Sequence, residues 1–224
     1  MNFFLIRRLI IKDWYFSRVT ILVCLLAGII ALLMIGIGNE SLFYFGSVLF
    51  ITVLVGLGVT LAIMTVIYER KEHTLPLIMS LPISYTEYTT SKILANLLIF
   101  LIPWLILALG SIVVVASRNT IPNGMIPFVI LVVTEIFVSY CVILSVAIVT
   151  ESEGWTIATI VTSQLYFNYF LFQVSNHPGI SSVKEGPVAI WGSIVWWILG
   201  IELVIVLIAL SLTYYLQSRK KDFI

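Results

Sequence analysis

Charge is scarce in this chain. Its 224 residues include 12 Lys or Arg and 11 Asp or Glu, which leaves a net charge of +1. That balance supplies no basic face for nucleic acid, and a water-soluble domain of this size needs more polar surface. Histidine occurs twice and HExxH does not occur, so an intramembrane hydrolase or protease lacks its usual ligands and bases. No GxxxxGK[ST] phosphate loop is present, nor any Gly-Lys dipeptide; the chain is not expected to be an enzyme or to hydrolyse ATP in the usual way. The two cysteines, Cys24 and Cys141, lie inside apolar runs and read as packing residues rather than a disulfide framework. A cleavable signal is not expected, because the run after Arg7, Arg8, Lys12 and Arg18 is too long and ends in no small-residue cleavage site.

What is abundant is apolar sequence: 61% of the residues are hydrophobic and the mean hydropathy is +1.14. A helix needs about 20 apolar residues to cross the hydrocarbon core. Six runs meet that length: Val19–Gly38, Phe43–Tyr68, Ile93–Ala116, Phe128–Val149, Trp155–Val174 and Val188–Leu216. Backbone in lipid must satisfy its own hydrogen bonds, and runs this long read as helices rather than barrel strands. The expected fold is an all-α integral membrane protein with six transmembrane helices over 19–216. Pro103 is expected to kink the third span without ending it.

Positive charge sets the expected orientation. Arg7, Arg8, Lys12, Arg18, Arg70, Lys71, Lys92, Arg219, Lys220 and Lys221 fall on one side, and only Arg118 and Lys184 on the other. Both termini, including a tail over 217–224, are therefore expected in the cytoplasm. Residues 1–18 read as a separate amphipathic helix in the cytoplasmic interface. Arg7, Arg8, Lys12 and Arg18 share one arc of a helical wheel, and Phe3, Phe4, Leu9, Ile10 and Trp14 fill much of the rest.

The second connection breaks the apolar pattern. YERKEHTLPLIMSLPIS, Tyr68 to Ser84, carries Glu69, Arg70, Lys71 and Glu72, then Thr74 as a helix cap with Pro76 in the first turn. Leu75, Ile78 and Met79 recur at helical spacing, and Leu77 and Leu81 lie within the same two turns before Pro82 ends them. Ser84-Tyr85-Thr86-Glu87 is a capping box, so a new helix is expected from Ser84 through Lys92 into the third span. So short a helix is unstable alone. It packs on headgroups and its own bundle, or it docks a cytoplasmic protein.

These residues resemble a segment of the type-2 ABC exporter permeases. Glu69, Arg70-Lys71, Thr74-Leu75, Leu81-Pro82-Ile83-Ser84, Glu87 and Lys92 match the pattern that follows the second of six spans in that family. His73 stands where a glycine is common, and Ser91 where one often precedes the Lys. The resemblance implies a coupling helix within segment 69–92. Glu69, Arg70, Lys71, Glu72, Thr74, Leu75, Leu77, Ile78 and Leu81 would seat against a separate ABC ATPase carrying ATP and Mg. Two ATPase copies and a second permease subunit, identical or different, are implied partners. The implied location is the cytoplasmic membrane of a bacterium, with lipid around the spans and no cofactor bound by this chain.

Polar residues inside the spans are the other candidates. Glu135 and Glu202 are the acidic residues well inside spanning runs. A charge at that depth costs about 2.5–3.5 kcal/mol, so each is hydrogen-bonded to a neighbouring helix or forms a proton or cation site. Thr159, Thr162, Tyr166, Tyr169 and Gln173 recur at steps of three and four on the fifth span, with Ser163 beside them. That stripe is either interhelical glue or the wall of a translocation route. Thr52, Gly56 and Thr60 on the second span read as a small-residue packing stripe. His177, in a turn-rich loop over Ser175–Pro187, reads as solvated. Glu151 and Glu153 read as a secondary ATPase contact or a plain solvated turn.

Two rival functions stay open. A proton-coupled secondary transporter would use Glu135 and Glu202, and would usually show repeated broken helices; Pro103 has no counterpart in the sixth span. A non-transporting scaffold or regulatory subunit would explain the charged insert equally well.

Overall fold

The computed structural model describes residues 3–37, 39–68, 85–118 and 121–219. The charged insert from Glu69 to Ser84 lies outside the described residues, and so does the coupling helix expected there. The described chain is all helical. Its α-helices are α1 (Phe3–Gly36), α2 (Glu40–Ala62), α3 (Tyr85–Ser117), α4 (Ile126–Thr150), α5 (Glu153–Asn176), α6 (Pro178–Lys184) and α7 (Ser193–Ser218). A π-helical turn, Ile63–Ile67, continues α2, and a 3-10 turn, Asn123–Met125, precedes α4.

Among the described residues, five helical segments are long and apolar enough to cross a bilayer: Arg7–Gly36, Glu40–Ile67, Thr89–Ser117, Asn123–Thr150 and Ser193–Ser218. The sixth expected span, Trp155–Val174, falls within α5. With 24 residues, α5 is about 36 Å long, enough for the core, but the Thr, Ser, Asn and Gln along it keep its hydropathy below that of the other five. Its length was legible in the sequence, and its apolarity was overestimated.

Residues 1–18 do not make a separate element. From Phe3 the helix runs without interruption to Gly36, and its 34 residues extend about 51 Å, well beyond the roughly 30 Å hydrocarbon core. One buried stripe explains the continuity: Leu9, Asp13 and Ser17 extend at four-residue steps into Ile21, Gly28, Leu32 and Ile35. The expected arc of cations is exposed at Arg7, Arg8, Lys12 and Arg18, but the opposite face packs on protein.

α1 lies against α2 and α3, and α4 is the hub that touches α2, α3, α5 and α7. Local chemistry sets the boundaries. Asn39 caps α2, its side-chain oxygen accepting from the Ser41 N–H at 3.1 Å, and Glu40 places a carboxylate in the positively polarised first turn. Pro127 stands at the start of α4, where its missing N–H costs nothing. α4 turns into α5 through Glu151 and Ser152, with Glu151 in the left-handed region at φ 50. His177, expected only to be solvated, is exposed and also caps α6, its Nδ1 accepting from the Gly179 N–H at 3.1 Å. α6 therefore stands where the sequence suggested only turns. α3 continues through Pro103, and the Trp104 indole donates to the Val133 carbonyl of α4 at 3.0 Å.

The Thr52–Gly56–Thr60 stripe is not a packing seam within this chain. A Cβ on Gly56 would meet nothing within 4 Å, and Thr52 is exposed. The contact face of α2 instead carries Gly46, Phe50, Leu54, Leu57, Gly58 and Leu61. There a Cβ on Gly46 would stand 2.9 Å from the Ala31 backbone oxygen, so α1 and α2 approach closely only because that position lacks a side chain. Cys24 is half-buried, Cys141 is buried, and both are free thiols, as packing residues should be.

Candidate functional site

Both chain ends of the insert enter one buried polar network. Tyr68 closes the π turn on one side, and α3 begins at Tyr85 on the other. One and two turns into α3 stand Thr89 and Lys92, both buried. The Lys92 ammonium lies 2.9 Å from Asp13 Oδ2 of α1 and 3.1 Å from the carbonyl oxygen of Thr65 in the π turn. Carbonyls in the last turn of a helix carry its negative end, a suitable partner for an ammonium. Asp13 is 3% exposed, and Lys12 stands 3.4 Å from its other oxygen at the rim.

The network continues inward. The Thr65 hydroxyl lies 2.7 Å from the Leu61 carbonyl oxygen and 2.6 Å from Asn96 Oδ1, its single proton shared between them. Asn96 Nδ2 donates to the Lys92 carbonyl at 3.0 Å, and Tyr140 Oη of α4 donates to the Asn96 carbonyl at 2.9 Å. Tyr140 is clamped in turn, its ring stacked on Phe100 at 4.0 Å and against Gly58, where a Cβ would stand 3.0 Å from the ring. α1, α2, α3 and α4 thus meet through Asp13, Thr65, Lys92, Asn96 and Tyr140. A π turn at this point supplies a locally irregular backbone, which recurs at functional sites.

Of these residues, sequence reasoning used only Lys92, as a topology charge and a family match. Asp13 was hidden among the cations of the first helix. A lone carboxylate at four-residue spacing between Leu9 and Ser17, on a stripe with no other charge, is the signal that could have found it. The coupling residues Glu69, Arg70, Lys71, Glu72, Thr74, Leu75, Leu77, Ile78 and Leu81 all lie outside the described residues.

The structure gathers a second set of candidates at the junction of α4, α5 and α7. Glu135 and Glu202 are each 2% exposed and lie within electrostatic range of one another. Neither forms the expected hydrogen bond to a neighbouring helix among the described residues. Glu135 accepts from Ser139 of its own helix at 3.2 Å, and both Glu202 oxygens lack a hydrogen-bond partner. Tyr166 lies within electrostatic range of both carboxyls and of Tyr169.

The fifth-span stripe divides. Ser163 is buried with Thr156, Phe167, Phe170 and Val174 on the face of α5 that meets the bundle. Thr162, Tyr166, Tyr169 and Gln173 are exposed on the outside, and Thr159 is half-buried. Thr159 and Thr162 donate to carbonyls of their own helix at 2.8 and 2.9 Å, and Gln173 donates to Tyr169 Oη at 2.6 Å. The hydrogen bonds of Thr159, Thr162 and Gln173 among the described residues stay within α5.

With five spanning-length apolar helices around one core, the chain is an α-helical membrane protein. No protein-family model matches it, and neither does a curated protein or a solved structure.

Proposed function

We propose that the chain is the membrane-spanning permease subunit of an ATP-driven exporter in the cytoplasmic membrane, moved by a separate ATPase that grips residues 69–84. The observation that carries this reading is the network at the root of the insert. Thr65 lies four residues before Glu69 and Lys92 eight after Ser84; Lys92 pairs with Asp13 of α1, and Thr65 bonds the Asn96 side chain, whose residue's carbonyl accepts from Tyr140 of α4. A displacement of the insert is therefore delivered to four helices at once rather than absorbed by a loose loop. Buried, hydrogen-bonded groups in close-packed surroundings transmit strain in this way.

In this proposal α5 is the sixth crossing. It packs on α4 after a two-residue link and matches it in length. Its exposed Thr162, Tyr166, Tyr169 and Gln173 then face a second permease subunit or the route between two subunits, because lipid offers such groups no partner. Both termini lie in the cytoplasm, and two ATPase copies work on the pair.

The test is the double substitution Leu75→Ala and Ile78→Ala in the assembled exporter. Insertion should be unchanged, while transport falls and ATPase activity no longer responds to the substrate. Full transport by that variant, or a purified complex with no nucleotide-hydrolysing companion, refutes the proposal. A second reading, proton-coupled transport, draws on the buried Glu202 carboxyl, whose oxygens have no hydrogen-bond partner among the described residues, and on the buried Glu135. Under it, Glu202→Gln abolishes transport driven by a pH gradient without added ATP.

A further inference from the structure

Toward the end of the bundle where α1 meets α2, helices α1 to α5 line a partly open cavity of about 310 Å³. One wall, including Ile35, Phe50 and Val132, is buried; the other, formed by Phe43 and Ile51 of α2 with Val129 and Leu171 of α4 and α5, is half-exposed. The polar side chains lining it are serines, and each is engaged. Ser47 donates to the Phe43 carbonyl at 2.8 Å, Ser111 donates to the Ala108 carbonyl at 2.7 Å, and Ser175 accepts from Lys184 at 3.3 Å. The chamber's lining is otherwise apolar side chains, which suits an apolar guest better than ordered water. Its volume is about twice the 150 Å³ that holds a benzene ring, which fits a chain of about ten to twelve carbons.

A second hollow of about 230 Å³ opens beside the first and shares Ile35, Phe43 and Met125 with it. Its rim has a different chemistry: Asn39, Glu40 and Tyr44. Glu40 is the charged side chain among the residues bordering either hollow, and it is exposed. Tyr44 is exposed next to it, its ring edge-to-face with Phe43 at 6.0 Å. A carboxylate beside aromatic rings is a recognition set for an alkylammonium head. Lys184, which would favour an anionic head, lines neither hollow and is already engaged with Ser175 and the Phe128 ring.

We propose that the two hollows form one binding site for a single-chain amphiphile with a cationic head, the alkyl chain in the chamber and the ammonium between Glu40 and Tyr44. This assignment stands or falls apart from the ATP-driven reading, because it concerns equilibrium binding and not transport.

The test uses the full chain in phosphatidylcholine nanodiscs and dodecyltrimethylammonium carrying a diazirine at the last carbon. Photolabelling should map to the segments around 47–51 and 128–133 and be competed by unlabelled dodecyltrimethylammonium. Dodecanoate and dodecanol should compete about threefold to tenfold less well, and Glu40→Gln should weaken the cationic ligand by a similar factor without changing dodecanol. Ser47→Phe should abolish labelling by filling the chamber; if that variant does not fold, Leu171→Trp fills it from the opposite wall. Labelling spread over the lipid-facing helices overturns the site. Equal competition by dodecanoate, or none by any added amphiphile, overturns the cationic ligand, the latter meaning that a bilayer chain occupies the chamber.

Discussion

Replacing Lys92 by Met removes the ammonium that stands 2.9 Å from Asp13 and leaves a carboxylate that is 3% exposed, with Lys12 3.4 Å away at the rim. An ion pair held out of water is no net source of stability, since desolvation offsets most of the attraction. Breaking one side of it is different: the orphaned charge costs about 3–5 kcal/mol. For a chain of 224 residues that lowers the midpoint of thermal unfolding by about 6–20 °C. Asp13→Leu should cost a similar amount, because it removes the carboxylate that balances the buried Lys92 ammonium. The double variant Asp13→Leu with Lys92→Met removes both charges and should return to within about 2 kcal/mol of the parent, the residue being the carbonyl left without its donor. Unfolding followed by tryptophan fluorescence at fixed detergent and protein concentration yields the cycle, with Lys12→Met as an exposed control worth less than about 1 kcal/mol. Single variants that each cost under about 1 kcal/mol, or a double variant equal to their sum, would show that the two groups are not a buried pair.

Two glycines of α2 give opposite expectations. Gly46→Ala forces a Cβ against the Ala31 backbone oxygen and should destabilise by about 1–3 kcal/mol, whereas Gly56→Ala meets nothing within the chain and should stabilise by about 0.4–1 kcal/mol; the same unfolding assay checks both, and equal effects would disprove the assigned contact face. Trp104→Phe keeps the ring but loses the donor to the Val133 carbonyl, for an expected loss of about 0.5–1.5 kcal/mol. A loss well above that range would point to the cavity left by the smaller ring instead of the hydrogen bond.

Much of the fold was legible in the linear pattern. The second, third, fourth and last apolar runs fall within helices or within a few residues of their ends. The helix that begins at Tyr85 agrees with the capping box read at Ser84–Glu87, local side-chain chemistry that acts over three or four residues. Three stripes share one limit: periodicity reports which residues lie on a common face but not what that face meets. The cations of residues 7–18 are exposed as expected, yet the face behind them belongs to the bundle. Thr52, Gly56 and Thr60 share a face that points out of the chain. Thr162, Tyr166, Tyr169 and Gln173 share one as well, and it is the outer face of α5.

The amino-acid sequence determined by itself that this protein is helical and built for a bilayer, since chain length and side-chain hydropathy alone set the free energy of placing a segment in lipid. It also marked the insert at 69–84 as the one concentrated break in that pattern. Tertiary structure decided which polar groups became partners. Asp13 and Lys92 are 79 residues apart in the chain and 2.9 Å apart in space, and Glu135 and Glu202, on different helices, are both buried. Such pairings depend on how the helices are rotated and stacked, and rotation is fixed by contacts summed over the entire bundle.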